Sequence, residues 1–299
     1  MRIVVSTPTG QVGSRVVARL HRAGVRPVLV VRDPGRLPPD VRRRSEVVTA
    51  DLTDLDAVVR ATRGADALHW VAPSLAPDPV AAYDRLGRVA AAAVRENGVA
   101  RVVVQSSVGA EARGGFGEID GLGALEEHLD GSGAAVTHLR CGYFFSNLLL
   151  DLAALRTGVV ASQLEVGRRI PWVAPDDVAD VAAQRLLSVD WSGRTTQGVL
   201  GPADLSTADV AATLTEVVGR PFRAEQVADD VVAEQLRAVG MPPTQVEAVV
   251  GMARGFRSDV RREDARDAVS TTPTTFRAWA AEHLVPVLRD DGRTGEDMG

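Results

Sequence analysis

The sequence predicts an α/β fold in which a doubly wound parallel sheet is followed by a smaller, mostly helical C-terminal lobe. Three observations lead to this prediction. Apolar segments rich in β-branched residues alternate with helical patterns in the first half of the chain, which is typical of βαβ units. Within these segments the apolar residues follow one another without alternating with polar residues, which favours a sheet covered by helices on both faces. Beyond about residue 150, amphipathic helical patterns predominate.

The predicted elements follow one another in the order that right-handed βαβ crossovers require. The apolar segment RIVVS predicts the first strand, and GSRVVARLHRAG predicts the helix after it. Strands two to five are predicted in RPVLVV, SEVVTADL, ADALHWVAPS and ARVVVQSS, with intervening helices in LDAVVRATRG and PVAAYDRLGRVAAAAVRENG. A further strand and helix are expected in AVTHLRCGYF and DDVADVAAQRLLSV.

The C-terminal part is predicted to be helical. Its amphipathic segments begin at capping residues and end near Gly or Pro: STADVAATLTEVVGRP, VVAEQLRAVGMP and PTTFRAWAAEHLVPVL. We therefore expect one domain over residues 1–150 and a smaller lobe over residues 151–290, from which one or two segments return to the sheet. Residues 291–299 are polar and are expected to form a flexible tail.

The composition excludes several classes of function. The net charge is −5, which disfavours nucleic acid as a partner. Cys141 is the only cysteine, so an internal disulfide and a CxxC-type metal site are excluded, and the five histidines lack metal-site spacing. No apolar stretch approaches the roughly 18 residues that span a bilayer. We expect a cytoplasmic monomer or homodimer without a metal, a membrane partner or a nucleic acid.

The chain contains no lysine, and all 34 of its basic residues are arginine. A GC-rich genome is one explanation. Whatever its origin, this composition excludes a Schiff-base lysine, a phosphate-loop lysine and a Tyr-x-x-x-Lys catalytic pair.

The segment STPTGQVG, residues 6–13, predicts a phosphate-binding turn. It follows the first predicted strand and opens a helix, where the free amides of the helix start favour an anion. Gly10 would allow close approach of a diphosphate, Gly13 would allow the helix to pack on the strand, and Thr7 replaces the expected first glycine. The cofactor contacts predicted here are Thr7, Thr9, Gly10, Gln11, Val12 and Gly13. An ordinary strand-to-helix turn is the alternative.

The end of the second strand indicates which dinucleotide is bound. Arg32 lies 19 residues after Gly13, at the position where an arginine accommodates the 2′-phosphate of NADP and an acidic residue binds the ribose of NAD. We therefore predict NADPH as cofactor, with NADH possible. Asp33 is either a turn residue or a competing acid, and Arg32 itself could belong only to a turn.

Further cofactor contacts are expected where strands three to six end, because ligands bind outside the carboxyl ends of the strands in open α/β sheets. These predicted contacts are Asp51, Leu52, Val71, Ala72, Pro73, Ser106, Cys141 and Gly142. For Asp51 the alternative is a helix cap. The small polar residues at strand ends are equally consistent with plain loops.

Taken together, these motifs resemble the NmrA-like group of atypical short-chain dehydrogenase/reductases over nearly the whole chain. The similar segments are TPTGQVG, LVVRDPGRL, ADLTD, VVVQSSVGA, LEEHLDGSGAAVTHLRCGYFFSN, IPWVAPDDVADVAAQRLL, GVLGPADLSTADVAATLTEVVGRPF and TTPTTFRAWAAEH. The resemblance implies a Rossmann-type fold that binds NAD(P)H, with the C-terminal lobe receiving the substrate.

Departures from the family pattern bear on catalysis. Cys141 replaces a proline, and Gly123 stands where many relatives carry a long side chain that reaches the nicotinamide. Neither tyrosine, Tyr83 or Tyr143, is followed by a basic residue four positions later. We predict Ser107 and Tyr143 as the catalytic residues. His69 and water are further candidates for proton transfer, although a buried core role for His69 is the simpler interpretation.

The predicted substrate contacts are aromatic: Tyr143, Phe144, Phe145 and Trp172. Core packing is the alternative for Phe144 and Phe145. Because a general acid contributes about 10²–10⁴-fold to a rate, its loss suits an acceptor that stabilises negative charge by itself. We predict an NADPH-dependent reductase of a quinone or activated carbonyl on an aromatic, secondary-metabolite-type small molecule. A non-catalytic NAD(P)-sensing regulator and a non-redox cyclase or isomerase are the alternatives.

Overall fold

The computed structural model describes residues 1–73, 76–258 and 266–289. The predicted tail, residues 291–299, lies outside them. The strands within the described residues are β1 (Ile3–Ser6), β2 (Val28–Val31), β3 (Glu46–Thr49), β4 (Ala67–Trp70), β5 (Arg101–Ser107), β6 (Ala135–Cys141), β7 (Tyr143–Phe144), β8 (Val159–Ser162), β9 (Ile170–Val173), β10 (Arg194–Val199), β11 (Asp204–Leu205) and β12 (Arg223–Gln226).

The helices of the same residues are α1 (Gln11–Arg22), α2 (Pro39–Arg43), α3 (Leu55–Thr62), α4 (Pro79–Asn97), α5 (Glu118–Asp130), α6 (Leu152–Arg156), α7 (Pro175–Leu187), α8 (Thr207–Val218), α9 (Asp229–Ala238), α10 (Pro243–Arg257) and α11 (Phe276–Arg289). Short 3₁₀ helices cover Pro34–Arg36, Ala110–Ala112 and Phe145–Asp151. None of the helices in the described ranges is long and apolar enough to cross a membrane.

A seven-stranded parallel sheet forms the centre of the fold, in the order β10-β6-β5-β4-β1-β2-β3. The strand order reverses between β1 and β4, so the turns after these two strands diverge and leave a crevice at the carboxyl edge. The predicted α/β class, with its doubly wound parallel sheet and helical C-terminal portion, is confirmed.

Two apolar cores cover the two faces of this sheet. On one face α3, α4 and α5 pack on side chains such as Leu68 and Val102. On the other face α1 and α7 pack on side chains such as Val5 and Val103. Burial on both faces explains why the strands are continuous apolar segments in the sequence.

Local signals in the sequence determine where the helices begin and end. The Asp78 side chain accepts a hydrogen bond from the Ala81 amide and caps α4, and Pro79 occupies its first turn. Gly98 ends α4 in the left-handed conformation. A reciprocal capping box between Ser206 and Asp209 starts α8.

The segments after β6 form a third core beside the carboxyl edge of the sheet. Its centre is aromatic: Phe145 lies between Trp172, Phe276 and Trp279, with ring centroids 5.3–6.2 Å away. Small sheets border it, one of β11-β9-β7 and one of β12-β8. By contrast, α7 packs on the main sheet and β10 extends it. The third core therefore stands next to the edge where the crevice opens.

Candidate functional site

In the turn between β1 and α1, the backbone at Gly13 packs closely against the backbone at Thr7. A Cβ on Gly13 would come within 2.2 Å of the Thr7 carbonyl oxygen, so only glycine fits there. Thr7 itself has a φ of +49°, the left-handed conformation in which glycine is the usual residue. Its hydroxyl donates a hydrogen bond to the Val71 carbonyl at 2.8 Å. The turn thus keeps its shape although its first glycine is a threonine, and it is tied to the end of β4.

The start of α1 fits an anionic ligand. Gly10 is the N-cap and offers no side-chain cap, while its own amide donates to the Thr7 carbonyl. The first-turn amides of Gln11, Val12 and Gly13 have no intrahelical acceptor, as in every α-helix, and they carry the positive end of the helix dipole. Since nothing larger than hydrogen projects from Gly10, a diphosphate could approach these amides closely.

Beside this turn lies a cavity of about 700 Å³, which we call the edge cavity. Seven predicted cofactor contacts line it: Thr7, Thr9, Gly10, Arg32, Asp51, Leu52 and Pro73. Arg36 and Arg85 also line it and were not anticipated. Arg85 lies on α4, and nothing in the sequence marks it as a ligand. The edge cavity is therefore rich in arginine.

The two acidic residues of the edge cavity are engaged by their own turns. The Asp33 carboxylate accepts the Gly35 amide at 2.8 Å, so Asp33 is a turn residue. The Asp51 carboxylate accepts both the amide and the hydroxyl of Thr53. These hydrogen bonds, helped by the charge of Arg32, hold the pKa of Asp51 below its usual range. Neither acid neutralises the arginines by a direct ion pair within the described residues.

Other predicted contacts lie further from the edge cavity. Val12 is buried on α1, where its contribution would come from its amide. Cys141 is buried, and burial raises the pKa of its thiol. Gly142 approaches the lobe so closely that a Cβ would come within 2.8 Å of the Pro171 carbonyl oxygen. Val71 and Ala72 follow β4 beside Thr7, and the Val71 carbonyl accepts the hydroxyls of Ser6 and Thr7.

Ser106 belongs to a buried charge network between β5, β6 and α5. Its hydroxyl donates to the Glu126 carboxylate at 2.6 Å, and Arg140 donates to both oxygens of that carboxylate. Glu126 is 0% exposed. Burial alone would raise the pKa of Glu126, but the hydrogen bond from Arg140, the nearby His138 and the Ser106 hydroxyl outweigh it, and the pKa lies below its usual range.

Arg113 completes this network from the loop after β5. Its guanidinium lies 2.9 Å from the Glu126 carboxylate and donates to the Gly123 carbonyl at 2.7 Å. A Cβ on Gly123 would come within 3.2 Å of the Arg113 side chain. Arg113 therefore occupies the space beside the position where relatives of the predicted family carry a long side chain.

The two predicted catalytic residues stand at the carboxyl ends of neighbouring strands: Ser107 is the last residue of β5, and Tyr143 follows β6. Ser107 is in register with Cys141, and its hydroxyl donates to the adjacent Val108 carbonyl. Tyr143 comes two residues after Cys141 and packs edge-on against Trp172, with centroids 4.7 Å apart. It is 41% exposed. Burial between the walls of the cavity that it lines raises the pKa of its hydroxyl, and a hydrogen bond with Asn147 opposes this shift in part.

A second cavity, the lobe cavity, extends from Tyr143 into the C-terminal lobe and measures about 350 Å³. It is bounded by β8, α9, α10 and the 3₁₀ helix that follows β7. Trp172 lines it together with Tyr143. Phe145 is 1% exposed inside the aromatic core, and Phe144 packs with the core on the α1 and α7 side of the sheet. Within the described residues no group of three or more potential ligands could hold a metal ion.

Comparisons with known proteins agree with this geometry. Residues 8–188 match the sequence profile of the NAD(P)H-binding family. The chain is 33% identical to the (4-alkanoyl-5-oxo-2,5-dihydrofuran-3-yl)methyl phosphate reductase of Streptomyces griseus, over 94% of this chain and 97% of the relative. It is 30% identical to the NAD(P)H azoreductase of Xenophilus azovorans, over 83% and 84% of the two chains.

Among solved structures, the NADPH-dependent quinone oxidoreductase of Escherichia coli in complex with NADPH superposes with a TM-score of 0.75 at 24% identity. The match covers 94% of this chain and 99% of the other. It shows that the fold extends over the lobe as well as the sheet. The chain belongs to the NAD(P)H-binding family of NmrA-like, atypical short-chain dehydrogenase/reductases and is an NAD(P)H-dependent oxidoreductase.

Proposed function

We propose that this protein is an NADPH-dependent reductase of quinone-like acceptors, meaning flat, conjugated molecules whose reduced form spreads its negative charge. The observation that carries the proposal is the position of Tyr143. Its phenol lines a largely apolar cavity beyond the carboxyl end of β6, in a chain that lacks a Tyr-x-x-x-Lys pair. Such a site can orient an acceptor but offers little acid catalysis to an unactivated ketone.

The cofactor preference follows from the charge of the edge cavity. Arg32, Arg36 and Arg85 line it, and its two acids are held in local turns. A guanidinium binds phosphate oxygens through paired hydrogen bonds. We therefore propose that Arg32 binds the 2′-phosphate of NADPH, with Arg36 and Arg85 nearby, and that the amides at the start of α1 bind the diphosphate.

When bound, NADPH supplies a hydride, and with one further proton a quinone becomes its hydroquinone while NADP⁺ is formed. The protein's own part is positioning and electrostatics. A phenol is protonated at neutral pH and burial raises the pKa of Tyr143 further, so its hydroxyl can donate to an acceptor oxygen. Ser107, on the neighbouring strand, is proposed as a second polar contact. Trp172 packs edge-on against Tyr143 and holds its ring in place.

The activities named for the relatives support this acceptor class. They include an azoreductase, a quinone oxidoreductase and a reductase of an alkanoyl dihydrofuranone phosphate. Each name describes a conjugated, electron-poor acceptor. Because the dihydrofuranone phosphate reductase matches 94% of this chain, a conjugated furanone is the second candidate acceptor.

Steady-state oxidation of NADPH tests the proposal directly. We expect 2-methyl-1,4-naphthoquinone to be reduced and a simple aromatic ketone such as acetophenone to be reduced at least about 100-fold more slowly, the lower limit for a missing general acid. A furanone with a conjugated acyl group tests the second candidate. If the purified protein binds NADPH tightly but reduces neither quinone nor furanone, the proposal is wrong.

A further inference from the structure

The lobe cavity has a wall of apolar side chains that the fold leaves half-buried. Leu148, Val227, Val232, Val249 and Met252 line it and are neither buried nor exposed. They come from the 3₁₀ helix after β7, from the segment after β12, and from α9 and α10. Apolar surface that faces a cavity rather than a core gains free energy when an apolar group covers it.

The charged residues of the same wall are already engaged by the protein. Asp151 caps α6, where its carboxylate accepts the Ala154 amide. Arg168 donates to the carbonyls of Phe256 and Ser258 at the end of α10. Behind Gln163, which also lines the cavity, the Arg257 guanidinium donates to the Gln163 carbonyl and pairs with Asp229 at the start of α9. Among the described residues of this wall, an apolar occupant therefore meets no charged group that lacks a protein partner.

The end of the lobe cavity nearest the main sheet lies close to a contact between the lobe and α1. Tyr143 and Trp172 form one end of its lining, at the carboxyl end of β6. Three residues later the Ser146 hydroxyl donates to the Gln11 side chain at 2.5 Å, at the start of α1. The 3₁₀ helix Phe145–Asp151 then runs from this contact to the cavity wall at Leu148 and Asp151. A molecule held at Tyr143 can thus extend along this wall into the lobe.

We propose that the substrate carries an apolar chain, alkyl or acyl, which enters the lobe cavity while its conjugated head stays at Tyr143. The assumption that the conjugated head of the substrate is the end that is reduced rests on the function proposed above. The volume of about 350 Å³ bounds the chain. Since a water-sized group takes about 30 Å³ in a liquid, the cavity holds on the order of ten carbon atoms. Val232, Val249 and Met252 then determine the length of chain that is accepted.

A series of 2-alkyl-1,4-naphthoquinones with methyl, butyl, hexyl and octyl chains tests this assignment. The single cysteine, Cys141, is buried, so thiol addition to the quinone does not complicate the measurement. Calorimetric titration against the protein saturated with NADP⁺ measures binding without turnover. We expect the dissociation constant to fall by about two- to fourfold for each added CH₂ until the cavity is filled.

Two neighbouring valines of α9 provide the matched variants. Val232 lines the cavity, whereas the adjacent Val231 does not line it and is 43% exposed. Val232→Phe should lower the ratio of octyl to methyl affinity by at least about tenfold, whereas Val231→Phe should keep the wild-type ratio. Equal affinities for methyl and octyl in the wild type, or equal ratios in the two variants, overturn the assignment.

The acceptor class and the chain assignment fail in different ways. If the quinones bind with the expected dependence on chain length but are not reduced in the presence of NADPH, the acceptor class is wrong and the chain assignment stands. If they are reduced at rates and affinities that do not depend on chain length, the acceptor class stands and the chain assignment is wrong.

Discussion

The carbonyl oxygen of Thr7 lies only 2.2 Å from the point that a Cβ on Gly13 would occupy. Because that atom belongs to the backbone of the turn, it cannot move aside as a flexible side chain could. Gly13→Ala should therefore displace α1 from β1 and lower the free energy of unfolding by about 1–3 kcal/mol, the usual range for overpacking. Urea unfolding measures the loss.

Gly10→Ala, compared with Gly13→Ala, separates the role of the turn in cofactor binding from its role in stability. A Cβ on Gly10 meets only Thr7 atoms, at 3.2 and 3.3 Å, and the φ of −79° suits any residue. We expect near wild-type stability but weaker NADPH binding, because the added methyl group stands where the diphosphate would approach. If both variants lose stability equally while both bind NADPH normally, the turn is structural only.

Arg32→Ala tests the choice of cofactor. Removing a guanidinium from a phosphate removes a charge-assisted interaction of about 1.5–3 kcal/mol, so NADPH affinity should fall by about 10- to 150-fold while NADH affinity changes little. Fluorescence titration with both cofactors measures this. Arg42→Ala serves as the control, since Arg42 is exposed on α2 and does not line the edge cavity. Equal losses for the two cofactors would contradict the assignment.

The glycine turn and the sheet were predictable from sequence because they depend on local signals. Apolar strands, helix caps and the spacing of Gly10 and Gly13 specify where the backbone turns. Arg85 was not predictable in the same way. It sits within a long helix of alanines and small apolar residues, and only the packing of α4 beside β1 brings it to the edge cavity.

The buried network around Glu126 shows a second limit of sequence reasoning. Glu126 and Glu127 are adjacent and chemically equal in the sequence, yet the first is 0% exposed and the second has a side chain that is 62% exposed. Which of the two faces the sheet depends on the rotation of α5. Arg113 likewise reaches Gly123 because the loop after β5 folds back on that helix.

Glu126→Gln should be strongly destabilising, whereas Glu127→Gln should not be. Without the carboxylate, the buried Arg140 loses the ion pair at 2.9 Å, which costs about 3–5 kcal/mol. The exposed neighbour should change stability by less than about 1 kcal/mol. Denaturant unfolding of both variants is the measurement, and similar small losses in the two would show that the network contributes little to the fold.

Tyr143→Phe tests the proposed hydrogen bond to the acceptor. The variant keeps the ring against Trp172, so binding should change little, while kcat should fall because an oxygen that becomes negative loses a donor. The other tyrosine, Tyr83, donates to Glu118 away from the cavities, and Tyr83→Phe is its control. An unchanged kcat in Tyr143→Phe would remove this residue from the catalytic proposal.

The pH dependence of the reaction gives an independent check on Tyr143. Its pKa lies above the ordinary value of 10, so the phenol remains a donor throughout the neutral and mildly alkaline range. The Tyr143-dependent part of kcat should therefore be constant up to about pH 10 and fall only beyond it. A loss centred near neutral pH that disappears in Tyr143→Phe would show the opposite, namely a lowered pKa.

His69 should make the fold sensitive to acid. It is fully buried on β4, and within the described residues neither ring nitrogen has a hydrogen-bond partner, so it is a core residue but one without polar contacts. Burial lowers its pKa from 6.5 to about 4. Between pH 6.5 and pH 4, His69 binds a proton in the unfolded chain but not in the folded chain. The free energy of unfolding that is present above pH 6.5 is therefore lost as the pH falls towards 4.

His69→Leu isolates this contribution. On lowering the pH from 7.5 to 4.5, the wild type should lose about 2–3 kcal/mol of unfolding free energy more than the variant, because leucine has no proton to take up. At pH 7.5 the variant should be at least as stable, since it removes two unpartnered polar atoms from the core. Urea unfolding at both pH values measures the difference. Parallel losses in the two proteins would mean that His69 is protonated in the folded state or is solvated there.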